Sequence, residues 1–129
     1  MDENAVVKAT CKYLKEQGYT ILSSCTTNQR GVDIIAENLV TGYQMLVEAK
    51  GNTSSKEGSK RFGQPYTNSQ VFSHASKGVF ACIRLRAKHS DRTTHKVMLA
   101  VPDSTLYNKY LDKSVIKDLE SAGIDVLFI

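Results

Sequence analysis

A single-domain α/β fold, helices alternating with short apolar strands, is what the sequence predicts, on three observations. Apolar residues recur at helical spacing near the start, around residues 68–86 and again beyond Pro102. Short apolar runs lie between them, and Gly, Pro or Asn breaks mark several of the changes of pattern. No repeat, low-complexity tract or linker of domain-separating length divides the 129 residues, which suffice for one core, so residues 1–129 are expected to form one domain.

The elements follow in order. Residues 2–17 predict an amphipathic helix, with Ala5, Val6, Ala9, Tyr13 and Leu14 on one face and Gly18 ending it. Tyr19 to Ser23 predicts a strand. Gly31-Val32-Asp33-Ile34-Ile35-Ala36 and Met45-Leu46-Val47-Glu48-Ala49-Lys50 predict two more, and Asn38 to Tyr43 between them has the Asn, Thr and Gly of a hairpin connection. Gly51 to Asn68 is an extended irregular polar stretch. A helix is expected from about Asn68 to Arg86, with Val71, Ala75, Val79 and Cys82 near one face and Gly78 weakening it slightly. Lys96 to Val101 predicts a strand, Pro102-Asp103-Ser104 opens a helix running to Ala122, and Gly123 ends it before a last strand from Ile124 to Ile129. The predicted order is αβββαβαβ.

Composition narrows the function. Hydrophobic residues make up 41% of the chain, no apolar run reaches transmembrane length, and the start Met1-Asp2-Glu3-Asn4 is acidic where a signal peptide would be basic. A cytoplasmic protein with no membrane partner is expected. The three cysteines Cys11, Cys25 and Cys82 are an odd number without Cys-x-x-Cys spacing, which supports neither a disulfide framework nor a zinc site. His74, His89 and His95 lack metal-ligand spacing and are assigned no metal. The net charge of +4 hides an asymmetry, because residues 50–96 hold ten Lys or Arg against only Glu57 and Asp91, while the rest is net acidic. Such a skew suits contact with a polyanion, whose bound counterions are released when cations replace them.

The chemical signal lies between Asp33 and Lys50. A carboxylate inside one apolar run and a Glu-Ala-Lys triplet closing the next place charges where they cost free energy without a reason. Strand alternation puts Glu48 and Lys50 on one face and Val47 and Ala49 on the other, and antiparallel pairing across the hairpin brings Asp33 near Glu48. Two carboxylates that close repel unless a cation lies between them, and oxygen ligands with room for water suit Mg²⁺ or Mn²⁺ better than Zn²⁺. Glu-x-Lys alone is too common to carry weight. The weight rests on its combination with Asp33, the hairpin spacing and the following helix.

With these residues and this element order, the chain resembles the PD-(D/E)XK, or restriction-endonuclease-like, nuclease superfamily over nearly its whole length. That family's pattern is an Asp on the first strand of a hairpin and Glu or Asp, any residue, Lys on the second, which Asp33, Glu48 and Lys50 match. Val32 stands where the family's Pro would precede the Asp. The resemblance implies an αβββαβ core with a mixed central sheet flanked by helices. It also implies a Mg²⁺- or Mn²⁺-dependent DNA endonuclease, in a group that includes Holliday-junction resolvases, restriction enzymes and repair nucleases. Asp33, Glu48 and the Ala49 carbonyl would hold the metal, Lys50 would orient or deprotonate a water, and Glu3 on the first helix would hold a metal-bound water or second ion. A glutamine on the following helix would hydrogen-bond near the nucleophile. Gln64 and Gln70 compete for that role, and Gln70, inside the helix, is preferred. Helix capping explains Glu3 equally well.

Given that site, Lys56, Lys60 and Arg61 in the Gly/Ser-rich stretch, with Tyr66 beside them, are the candidate DNA contacts, and Arg84, Arg86, Lys88 and Arg92 could extend the surface. The expected partner is DNA, duplex or branched. One such site cuts one strand, so scission of a duplex or junction implies a homodimer. The rival reading is a catalytically inactive nucleic-acid-binding module of the same fold.

Overall fold

The computed structural model describes residues 1–24, 31–54 and 63–129. Its chain runs through α1 (Glu3–Glu16), β1 (Thr20–Ser24), β2 (Ile34–Glu37), β3 (Gln44–Ala49), α2 (Asn68–Lys88), β4 (His95–Val101), α3 (Thr105–Tyr110), α4 (Lys113–Ser121) and β5 (Ile124–Phe128). The strands form one mixed sheet in sequential order, antiparallel from β1 to β3 and parallel from β3 to β5. Helices cover both faces, which is the α/β architecture expected from the sequence.

Local chemistry sets the element ends. The Asp2 carboxylate caps α1 by accepting from the Ala5 amide at 2.8 Å. Asn38 closes the β2–β3 hairpin: its side chain accepts from the amides of Val40 and Thr41, and its backbone carbonyl from that of Gly42. Gly42 has φ +79°, a conformation that glycine adopts without strain. Thr67 and Gln70 form a reciprocal capping box that starts α2.

Two expectations change. The helix predicted from Ser104 to Ala122 is two helices, because the Asp112 side chain accepts from the Val115 amide and caps a new start while Leu111 turns out of helical geometry into the core. The first carboxylate strand begins at Ile34, so Asp33 sits just ahead of β2 rather than inside it.

Strand alternation divides the core. Met45, Val47 and Ala49 of β3 face α1 together with Ile34, Ala36, Met98 and Ala100. Leu46 faces the other way with Val97, Leu99 and Val101, against α2, α3 and α4. Each fully buried aliphatic side chain here contributes about 1.5–3 kcal/mol. Among the described residues no helix is long and apolar enough to cross a membrane.

Candidate active site

Antiparallel register pairs Ile34 with Val47, so the next position outward sets Asp33 opposite Glu48 on the α2 face of the sheet. The Ala49 amide donates to Asp33 Oδ2 at 2.8 Å and fixes that carboxylate at the end of β3. Lys50 Nζ lies 3.3 Å from Glu48 Oε1, their side chains 16% and 17% exposed. Asp33, Glu48 and Lys50 therefore converge as the hairpin spacing implies.

Glu3 joins them through a close approach of two backbones. A Cβ on Gly51 would lie 2.6 Å from both the Asp2 carbonyl carbon and the Glu3 nitrogen, so only glycine lets the start of α1 pack against the chain leaving β3. The Tyr107 hydroxyl donates to the Gly51 carbonyl at 2.7 Å, and the Asn52 amide donates to the Met1 carbonyl at 2.8 Å.

The electrostatics show the convergence. Burial raises the Glu3 carboxyl above the ordinary range against the pull of Lys50, and Asp33 and Asp2 raise it further. Burial also raises Asp33, opposed by the Ala49 hydrogen bond and by Lys50. Glu48 is raised by burial and then by the neighbouring Asp33 charge, with Lys50 opposing. Among the described residues one ammonium thus faces three half-buried carboxylates, a surplus of negative charge that resists full ionisation.

Helix α2 closes the site from above. A Cβ on Gly78 would fall 2.8 Å from Leu99 Cδ1 and 3.1 Å from Lys50 Cγ, so this mid-helix glycine, which costs helix propensity, opens the space the Lys50 stem crosses. Cys82 is buried nearby, its thiol pushed up to about 12 by burial and then by Glu48. It is a reduced, inert filler.

The remaining predicted residues divide. Tyr66 stacks face to face on His74, ring centroids 4.5 Å apart and planes 7° from parallel. Burial lowers the His74 pKa, and Lys50 and Lys77 lower it further. Histidine spacing did not reveal this residue; its position one turn after Gln70 was the available signal. The Gln70 side-chain oxygen accepts from the Thr67 amide at 2.8 Å in the capping box, so the described geometry ties it to the start of α2. Gln64 is exposed and its backbone carbonyl accepts from Ser54. Lys56, Lys60 and Arg61 lie outside the described residues. Arg84, Lys88 and Arg92 are exposed, whereas Arg86 is buried with its guanidinium donating to backbone carbonyls, which removes it from the predicted DNA surface.

The donor set fits a hard divalent cation. Among the described residues no three His, Cys, Asp or Glu side chains form a metal-holding group by themselves. Mg²⁺ and Mn²⁺ are commonly held by one or two carboxylates with solvent completing the shell. Asp33 and Glu48, next to each other and negatively charged in surplus, supply that pair.

Fold and site together define an α/β domain with a mixed five-stranded sheet and an acidic cluster at the end of its middle strand. No family model and no curated protein matches the chain. The crystal structure of an XisH family protein from Nostoc punctiforme is similar over 98% of this chain and 88% of that one, with a TM-score of 0.50 and 21% identity. At that identity the likeness establishes the shared fold.

Proposed function

We propose that the protein is a Mg²⁺- or Mn²⁺-dependent DNA endonuclease of the PD-(D/E)XK, restriction-endonuclease-like class. The observation that carries the reading is the convergence of Asp33, Glu48 and Lys50 at the end of β3, with Glu3 brought beside them by Gly51.

A phosphodiester resists hydrolysis because its anionic oxygens repel the nucleophile, so a site must neutralise that charge and align a water. Asp33 and Glu48, helped by the Ala49 carbonyl, would hold the cation. When bound, the cation supplies positive charge at the phosphoryl group and acidifies water. Lys50, leaning on Glu48 and guided past Gly78, orients the attacking water and donates a hydrogen bond to the phosphoryl oxygen as charge develops there. Glu3 would accept a hydrogen bond from a water beside the Asp33 and Glu48 carboxylates. Gln70 is not carried into the mechanism, because its side-chain oxygen holds the α2 cap. Cutting both strands of a duplex or a junction calls for two such sites, so the proposal includes a two-fold homodimer.

A catalytically inactive nucleic-acid-binding module is the second reading, favoured by the way Lys50 and the Ala49 amide already satisfy Glu48 and Asp33. Incubation of the purified protein with supercoiled plasmid and with a branched junction, under titrated Mg²⁺ or Mn²⁺, separates the two. Cation-dependent cutting that Lys50→Ala abolishes supports the nuclease. Salt-sensitive binding with no cutting moves the assignment to the inactive module.

A further inference from the structure

Beside Glu48, a groove of about 470 Å³ runs along the C-terminal half of α2. Gly31, Val32, Ala81 and Leu85 line it with small or apolar surface, Glu48 opens into it, and Arg84 and Lys88 also line it. The two cations lie one turn apart on α2, about 6 Å along the axis, and so present side by side. Neither makes an ion pair with a carboxylate among the described residues. Arg86, between them in sequence, is turned inward and buried, so the pair is selected by helix geometry from a longer basic run.

This arrangement is asymmetric in a way that suits one ligand. A sugar-phosphate strand carries apolar sugar edges and regularly spaced anions. Val32, Ala81 and Leu85 offer a low apolar floor for the first, and Arg84 and Lys88 offer positive charge for the second. Because the groove opens at Glu48, a strand lying in it delivers its next phosphate to the acidic cluster.

We propose that this groove is the DNA-backbone subsite flanking the scissile phosphate, with Arg84 and Lys88 binding the phosphates on one side of the cut. The inference rests on the nuclease reading and names where its substrate lies. A second basic groove, about 450 Å³ between α1 and the end of β1 and lined in part by Lys8, Lys12 and Lys15, contains no site carboxylate and provides the control.

The test is fluorescence anisotropy of a labelled DNA duplex, without divalent cation and across a salt series, on the full-length wild type, Arg84→Ala/Lys88→Ala and Lys8→Ala/Lys12→Ala. Alanine preserves the helix at these exposed positions, and circular dichroism checks it. The groove variant should bind at least tenfold more weakly at low salt, and its slope of log K against log salt should be shallower by about 2, one unit for each lost phosphate contact. The α1 variant should keep the wild-type slope. An unchanged slope in the groove variant, or an equal loss in the α1 variant, overturns the subsite. Cleavage is scored separately: cation-dependent cutting with an unchanged slope sinks the groove alone, and a shallower slope with no cutting sinks the nuclease alone.

Discussion

Two charge sites in this chain, one buried and one half-buried, are built in opposite ways. Arg86 is 8% exposed and donates to the His95 carbonyl at 2.9 Å, to the Gly123 carbonyl at 3.3 Å and to the His89 carbonyl. Backbone carbonyls accept from its two terminal nitrogens there, with Arg92 close by and the buried Nε left without a partner, and the result ties the end of α2 to the start of β4 and to the turn before β5. At the other site, Glu3, Asp33 and Glu48 share one ammonium among the described residues, so burial raises all three carboxyls, and neighbouring carboxylates raise Glu3 and Glu48 further. The first site is closed and holds the fold. Among the described residues the second is short of positive charge, a cost that a purely structural cluster has no reason to carry and that a cation-binding site does.

Replacements at the two sites should therefore separate stability from activity. The largest effect is expected from Asp33→Asn, which keeps the acceptor for the Ala49 amide but removes the charge. Cleavage should fall roughly 10³-fold, about 4 kcal/mol in the barrier, while the melting temperature at neutral pH holds or rises. A variant that still cuts breaks the comparison. Arg86→Met should do the reverse, costing about 3 kcal/mol of folding stability by urea unfolding because three carbonyls lose their donor, with cleavage per folded molecule unchanged. Gly78→Ala sharpens the contrast within the active cluster. Its added Cβ crowds Lys50 Cγ and Leu99, so cleavage should drop about tenfold while stability moves by no more than about 1 kcal/mol, the gain in helix propensity offsetting the crowding.

The smallest effect is in the pH dependence. Carboxyls whose folded pKa is raised hold their protons more tightly in the folded than in the unfolded state, so their stabilising contribution is complete below the ordinary carboxylate range and is lost as pH rises through the raised folded values. In metal-free buffer the wild type should lose stability across that acidic window relative to Asp33→Asn/Glu48→Gln. Parallel melting curves against pH for the two proteins would contradict it.

Legibility in the sequence followed range along the chain. Asp33, Glu48 and Lys50 were readable because a hairpin pairs residues by counting, and the helices around them because apolar spacing is local. The break between α3 and α4 was obscured because Leu106, Leu111, Val115 and Leu119 keep an apolar pattern across it, although Asp112 is a capping residue. Arg86 read as surface charge, since the carbonyls that cage it come from residues 89, 95 and 123. His74 meets Tyr66 across the start of α2, and Gly51 meets α1 from 48 residues away in the chain, contacts that no periodicity encodes. Gly78 looked like a blemish in a helix until Lys50 was seen to need its space.

The central claim is that the acidic cluster is completed by a divalent cation, and the direct measurement is the melting temperature at neutral pH as Mg²⁺ is titrated against the wild type and Asp33→Asn/Glu48→Gln. A saturable rise in the wild type that the double variant lacks is the predicted result, since a ligand bound only by the folded state stabilises it by mass action. No rise, or the same rise in both proteins, would contradict the account.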